Sequence, residues 1–205
     1  MSLCHVLVLD LETQKSFKEV STSRDQMLEK LKISVVGVYD YADDQYRTYE
    51  EKELMALEKN LREAALVIGF NIRRFDMPVL APYLFSPVSE FPVLDLLEDI
   101  EKVRGHRVSL DSIARPTLNQ QKSGSGKDAI TLYKENRMDD LKRYCLDDVR
   151  LTKGIYDYGC QHGKIYFISS RDYQTYEVPV NWKQSAEAMI RKKTERQATF
   201  PASLF

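Results

Sequence analysis

Histidine, cysteine and tryptophan are scarce in this chain of 205 residues, which holds three, three and one of them, and each scarcity removes a class of chemistry. His5, His106 and His162 are too few and too scattered for a histidine metal cage or a Ser-His-Asp triad. Cys4, Cys145 and Cys160 have neither the CxxC spacing of a zinc site nor the density of a disulfide framework, so they read as inert packing residues in a reducing interior. Charge of one sign is lacking as well. A formal net charge of −1 excludes a protein that holds nucleic acid by bulk electrostatics, and leaves only a local basic groove for that purpose. Long apolar runs are missing too: the first is broken by Asp10, too early for a signal-peptide core and far short of the roughly 18 apolar residues of a membrane span. The expectation is a soluble cytoplasmic protein with no membrane partner.

What the chain does have is a composition of 43% hydrophobic and 30% charged residues, enough for one globular core with a modest appendage. With so little histidine, catalysis falls to carboxylates.

Residues 4 to 10 read as a buried strand, followed by a polar stretch from Gln14 to Leu31. ISVVGVYDY, from Ile33, is β-branched and aromatic, and YADDQYRTY returns through an acidic turn, which together predict a hairpin. From Glu51 the period becomes helical, with Leu54, Leu57 and Leu61 on one face. LVIGF, from Leu66 to Phe70, reads as a short buried strand feeding a loop. Pro78, Pro82, Pro87 and Pro92 exclude a long helix until VLDLLEDIEKV, residues 93 to 103, which reads as one. Ser109 is the expected cap of a further helix, and QQKSGSGKD, from Gln120, a flexible basic loop. Asn136 is the expected N-cap of a long helix that Gly163 ends. Beyond it, KIYFIS and TYEVPVNW predict a terminal hairpin, and the stretch around RKKTER a solvated basic tail.

Three short motifs fall on these elements. In VLDLET, Asp10 and Glu12 are two apart on a strand, hence on one face about 6 to 7 Å apart, an uncomfortable arrangement without a cation. Tyr144 and Asp148 are four apart on the long helix, and Asp148 borders an apolar stripe, where a carboxylate needs a partner or a metal. Asp76, in NIRRFD, follows the carboxyl end of the LVIGF strand, where ligands of α/β sheets collect. Four converging carboxylates raise one another's pKa values unless divalent cations reverse that logic. Oxygen ligands suit Mg²⁺ or Mn²⁺, and two such ions about 3.5 to 4 Å apart support phosphodiester cleavage. D-x-E or Y-x-x-x-D alone is a common surface pattern; the argument rests on all three motifs occurring in order on fitting elements.

Asp10-x-Glu12-Thr13, Asn71-x-x-x-Phe75-Asp76 and Tyr144-x-x-x-Asp148 resemble the three exonuclease motifs of the DEDD superfamily, tyrosine subtype. The histidine subtype would place a histidine where this chain has Arg143. The stretch from Asp95 through SLDSIARPTL, KSGSGKD and YCLDDVRLT also resembles the YprB-like branch of ribonuclease-H-like exonucleases, near DnaQ-like proofreading domains. This resemblance covers about residues 4 to 160 and implies an α/β, ribonuclease-H-like fold: a central mixed five-stranded sheet flanked by helices, with a C-terminal β-hairpin extension. It implies a division into residues 1–163, the exonuclease domain, and 164–205, the hairpin and basic tail.

By the same resemblance, Asp10 bridges two divalent cations, Mg²⁺ or Mn²⁺. Glu12 and Asp148 complete the site of the ion that holds the attacking water, Asp76 holds the second ion through water, and Tyr144 orients the attacking water. The implied activity is 3′–5′ hydrolysis of single-stranded DNA or RNA to nucleoside monophosphates; a helicase or polymerase is a candidate protein partner that the residues themselves do not specify. Thr13, Asn71, Arg73, Arg74, Phe75, Lys122 and Lys127 are the candidate substrate contacts. For Arg73 and Arg74 solvation of a turn is an equal alternative, and for Phe70 and Phe75 a core role is the plainer one.

GSGK, Gly124 to Lys127, does not make a phosphate loop, because Gln121 and Asp128 stand where glycine and Ser or Thr are needed. Asp95 and Asp111 read as structural caps, and Arg104, His106 and Arg107 as a surface cluster. The alternative function is a weakly active or inactive nucleic-acid- or partner-binding module on the same fold. The unassigned hairpin and tail motivate it, and the intact acids count against it.

Overall fold

The structure, a computed structural model, describes residues 5–20, 24–122 and 124–199; Cys4 lies outside them. In chain order the elements are β1 (Val6–Thr13), α1 (Arg24–Lys30), β2 (Ile33–Asp40), β3 (Gln45–Glu50), α2 (Leu54–Glu63), β4 (Leu66–Gly69), α3 (Asp76–Leu80), β5 (Val93–Asp95), α4 (Leu96–Arg104), α5 (Leu110–Leu118), α6 (Gly126–Lys134), α7 (Met138–His162), β6 (Lys164–Ile168), β7 (Thr175–Pro179) and α8 (Trp182–Thr199).

The central sheet has five strands in the order β3-β2-β1-β4-β5. β1 pairs antiparallel with β2 and β2 with β3, whereas β1 with β4 and β4 with β5 are parallel. This is the expected mixed five-stranded α/β sheet. β1, β2 and β4 are buried over nearly their whole length, which is why they read as near-continuous apolar runs. On one face, Leu7, Leu9 and Val67 pack with Leu57, Leu61 and Leu80. On the other, Val8, Leu66 and Ile68 pack with Ile113, Val149 and Ile155.

Several elements differ from the sequence expectation. VLD at 93–95 is the fifth strand, paired with Val67–Gly69, and only Leu96–Arg104 is helical. Asp95 ends the strand and starts the helix, accepting hydrogen bonds from Leu97 N and Glu98 N. The C-terminal half of the expected loop from Gln120 is the first turn of α6, where Ser125 and Asp128 bond reciprocally as a capping box. Asn136 does not cap α7; it adopts a left-handed turn, φ 58°, and Arg137 occupies the cap position. Ser109 does cap α5, its hydroxyl accepting from Ser112 N, and α7 ends as expected at Gly163.

The terminal hairpin forms as expected, β6 against β7, but the basic stretch beyond it is not a loose tail. Trp182, Ala186, Met189 and Ile190 give one apolar side, and the segment is helix α8. Phe167 and Trp182 are each 1% exposed and share the apolar cluster of Val8 and Ile68, so hairpin and helix lie on the sheet's own core. Burial of a side chain such as Phe167 contributes roughly 1.5 to 3 kcal/mol.

Candidate metal centre

β1 carries Asp10 and Glu12 in its second half, each flanked by buried neighbours, the apolar Leu9 and Leu11 and the polar Thr13. What brings a helix to them is a glycine. Gly37 is the register partner of Asp10 on β2, and a Cβ there would lie 2.9 Å from Cys145 Sγ and 3.0 Å from Val149 Cγ2. Its missing side chain lets α7 approach the sheet directly, and the Cys145 thiol donates to the Asp10 carbonyl at 3.5 Å. With Cys145 and Val149 set into the sheet, Tyr144 and Asp148 on the adjoining face turn toward Asp10 and Glu12. The result is a trio: carboxylate oxygens of Asp10, Glu12 and Asp148 lie within 4.8 Å of one another.

Asp76 reaches the same place from the other side. It opens α3, is 3% exposed, and its Oδ1 accepts a hydrogen bond from Leu11 N at 3.2 Å. It stands outside the trio, but lines with it one cleft of about 650 Å³. Thr13, Phe75, Lys122, Lys127 and Tyr144 line that cleft too. Lys122 Nζ lies 2.5 Å from Asp148 Oδ2 and 5.8 Å from the centre of the Tyr144 ring. Its backbone N–H is fixed by Asp111 Oδ1 at 3.0 Å.

The electrostatics follow from burial of like charges. Burial, then the charges of Asp148, Asp76 and Glu12, hold the Asp10 carboxyl well above the usual range, with Lys122 pulling the other way. Burial and Asp148 push Glu12 up to about 8. Burial raises Asp76 to about 7 against its backbone hydrogen bonds. Asp148 is raised by burial although Lys122 opposes the shift. Burial lowers the Lys122 ammonium, but the surrounding carboxylates outweigh it and hold it above its ordinary value. Tyr144 is driven upward by burial and by the Asp148, Glu12 and Asp10 charges, so its phenol keeps its proton.

These residues fit a divalent cation. The donor set is hard oxygen, as Mg²⁺ and Mn²⁺ require, and two donors are left over: Asp148 Oδ1 and Tyr144 Oη are buried with no hydrogen-bond partner among the described residues. Such groups are costly unless something else satisfies them. Three carboxylates with one ammonium leave a negative surplus that a cation removes.

Other sequence candidates lie elsewhere. Asn71 is in a left-handed turn, φ 69°, its side-chain carbonyl accepting from Arg107. Arg73 and Arg74 pair with Glu98 and Glu101 of α4, and none of the three lines the carboxylate cleft. Asp95 is structural as expected: besides capping α4 it accepts from Asn71 N and Arg73 N, both at 3.0 Å. The sequence reading missed Phe17, 50% exposed, which with Lys15 and Lys18 lines the cleft and packs against Phe75 at 6.1 Å between ring centres. It gave no signal, lying in a polar stretch without period. Gly37 did give one, a lone glycine in a β-branched strand, the usual mark of close backbone approach.

Among the described residues, no helix is long and apolar enough to cross a membrane. No curated protein matches the chain. A family model does: that of the RNase_H superfamily matches residues 25–160, well over half of the chain, and the chain belongs to that superfamily. The matched span contains Asp76, Tyr144 and Asp148, whereas Asp10 and Glu12 precede it.

Proposed function

We propose that this RNase_H-superfamily chain is a metal-dependent 3′–5′ exonuclease of the DEDD tyrosine subtype, acting on single-stranded DNA or RNA. The observation that carries the reading is the trio of Asp10, Glu12 and Asp148 within 4.8 Å, with the Tyr144 hydroxyl buried beside it and unpartnered. Asp10, Glu12 and Asp148 would hold one divalent cation, and Asp10 with Asp76 a second. When bound, Mg²⁺ or Mn²⁺ supplies charge compensation and Lewis acidity at the scissile phosphate.

The protein's own groups have separable tasks. Tyr144 Oη, held protonated, orients the attacking water by hydrogen bonding and does not act as a base. Lys122 and Lys127 line the cleft where they meet the phosphate of the terminal nucleotide, Lys122 exchanging Asp148 for that phosphate. Phe17 and Phe75 offer a half-exposed aromatic wall on which a base can stack. Thr13 closes the end of β1 beside the carboxylates. Product release as a nucleoside monophosphate follows from attack on the last phosphodiester.

The test is digestion of 5′-labelled single-stranded DNA and RNA of matched sequence in Mg²⁺, Mn²⁺ or chelator, alongside Asp148→Ala. A metal-dependent ladder shortening from the 3′ end, lost in the variant, is expected. Binding of both strands without products in either metal would overturn it in favour of a recruitment module.

A further inference from the structure

Arginine in this protein is mostly paired: Arg73 with Glu98, Arg74 with Glu101, Arg115 with Asp111 and Arg150 with Asp147. Arg104, Arg107 and Arg171 form no ion pair among the described residues, yet all three line one cleft of about 380 Å³, between the start of α5 and the turn of the β6–β7 hairpin. The one acid in its wall, Asp172, is already engaged, accepting from the Tyr176 hydroxyl at 2.6 Å and from Gln174 N at 3.1 Å.

The arginines are held by other means. The Arg104 guanidinium lies 4.9 Å over the Phe167 ring and 5.1 Å over Tyr176, a stacked position that keeps it in place without a counter-charge. Arg107 donates to Asn71 Oδ1 at 2.5 Å. The N-terminal end of α5, capped by Ser109, adds the positive end of a helix dipole to the same wall. Three guanidinium groups with the single carboxylate of Asp172 beside them leave a positive surplus that an anion removes, and their planar donor forks match phosphate oxygens. The two clefts are linked through the chain: Arg107 donates to Asn71, whose neighbour Phe70 lines the carboxylate cleft.

We propose that this arginine cleft grips the phosphodiester backbone of the nucleic-acid strand upstream of the 3′ end held in the carboxylate cleft. The inference rests on the exonuclease reading for the direction of the strand. It gives the hairpin a task, since β6 and β7 carry the rings beneath Arg104 and their turn carries Arg171.

The test is fluorescence anisotropy in chelator, with 5′-labelled single strands of about 20 nucleotides and a trinucleotide, over a salt series. The variant is Arg107→Gln with Arg171→Gln, which leaves Arg104 on its rings; a thermal melt checks the fold, and Arg47→Gln with Arg137→Gln, two arginines outside both clefts, is the charge-matched control. Affinity for the long strand is expected to fall roughly tenfold, and the slope of log K against log salt to become shallower by about 1.4, since each phosphate contact on a single strand is worth about 0.7. The trinucleotide, which offers few phosphates, should lose less of its salt slope than the long strand, and the control variant should show no change. Wild-type affinity and slope in the double variant, or an equal loss in the control variant, would overturn the proposal. Because binding is read without metal, this result is independent of whether the strand is cut, so a failure of the exonuclease reading and a failure of the arginine cleft are separate outcomes.

Discussion

Lys122 Nζ stands 2.5 Å from Asp148 Oδ2, so the cation nearest the carboxylate trio belongs to the chain itself. Removing it leaves a buried carboxylate without its ion-pair partner. For Lys122→Met the metal-free protein should lose about 1 to 3 kcal/mol at neutral pH, less than a fully sealed pair would cost because the lysine side chain is 25% exposed. Added Mg²⁺ or Mn²⁺ should then raise the melting temperature more in the variant than in the wild type. Equal metal-induced shifts in the two proteins would show that Lys122 does not compensate this site.

Stability of the metal-free protein should fall as the pH rises through the neutral range. Glu12 moves from its ordinary 4.5 to about 8 and Asp76 from 3.8 to about 7, so the folded chain binds these protons more tightly than the unfolded one. Their contribution is fully present below the unfolded values and is lost as the pH climbs through about 7 to 8. Glu19 works in the opposite sense: held down to about 2 by Lys134 and Ser16, it gives stability above its ordinary value that is lost in acid, outside that window. Melting curves in chelator between pH 5 and 8 check this. A flat profile for wild type, or the same slope in Glu12→Gln, would count against it.

Gly37 is a structural determinant of the site although it does not line the carboxylate cleft. Ala at this position puts a Cβ 2.9 Å from Cys145 Sγ and 3.0 Å from Val149 Cγ2, a small overpacking that costs about 1 to 3 kcal/mol. Relief by pushing α7 outward would draw Tyr144 and Asp148 from Asp10, so nuclease turnover should fall together with stability. Cys145→Ala, which removes the nearer obstacle, should restore part of both. A Gly37→Ala protein with wild-type melting temperature and turnover would refute the close-approach argument.

Asp76→Asn separates the carboxylate's charge from its hydrogen bond. The amide retains an oxygen for Leu11 N–H, so the fold should survive. The lost charge should lower turnover by a factor on the order of 100. Isothermal titration with Mn²⁺ should show one fewer site per chain, and an unchanged stoichiometry would remove Asp76 from the metal-binding set.

The sequence showed the acids because strand and helix periods are strict: i, i+2 on β1 and i, i+4 on α7 each fix a shared face, whatever the rest of the fold does. Ser109 and Gly163 were legible for the same local reason, since a cap depends on the few residues beside it. β5 was not, because three residues running into an amphipathic helix extend its pattern and only pairing with β4 reveals the strand. α8 was hidden by its charge, its apolar side being decided by contact with the core around Trp182. Asn136 and Arg137 are adjacent, so the two cap positions differ within the ambiguity of any helix start. Lys122 lay on a loop already suspected of meeting phosphate, but its approach to Asp148 is a tertiary fact that no spacing encodes.

The parallel ladder of β1 with β4 stops at Val8, whereas its antiparallel ladder with β2 runs on to Thr13. Beyond Val8 the strand is therefore a cantilever, clamped along one flank and tied on the other by the link from Asp76 to Leu11. Asp10 and Glu12 both lie on this overhang, so the flank that β4 leaves open is the one from which Asp76 reaches the strand that carries them.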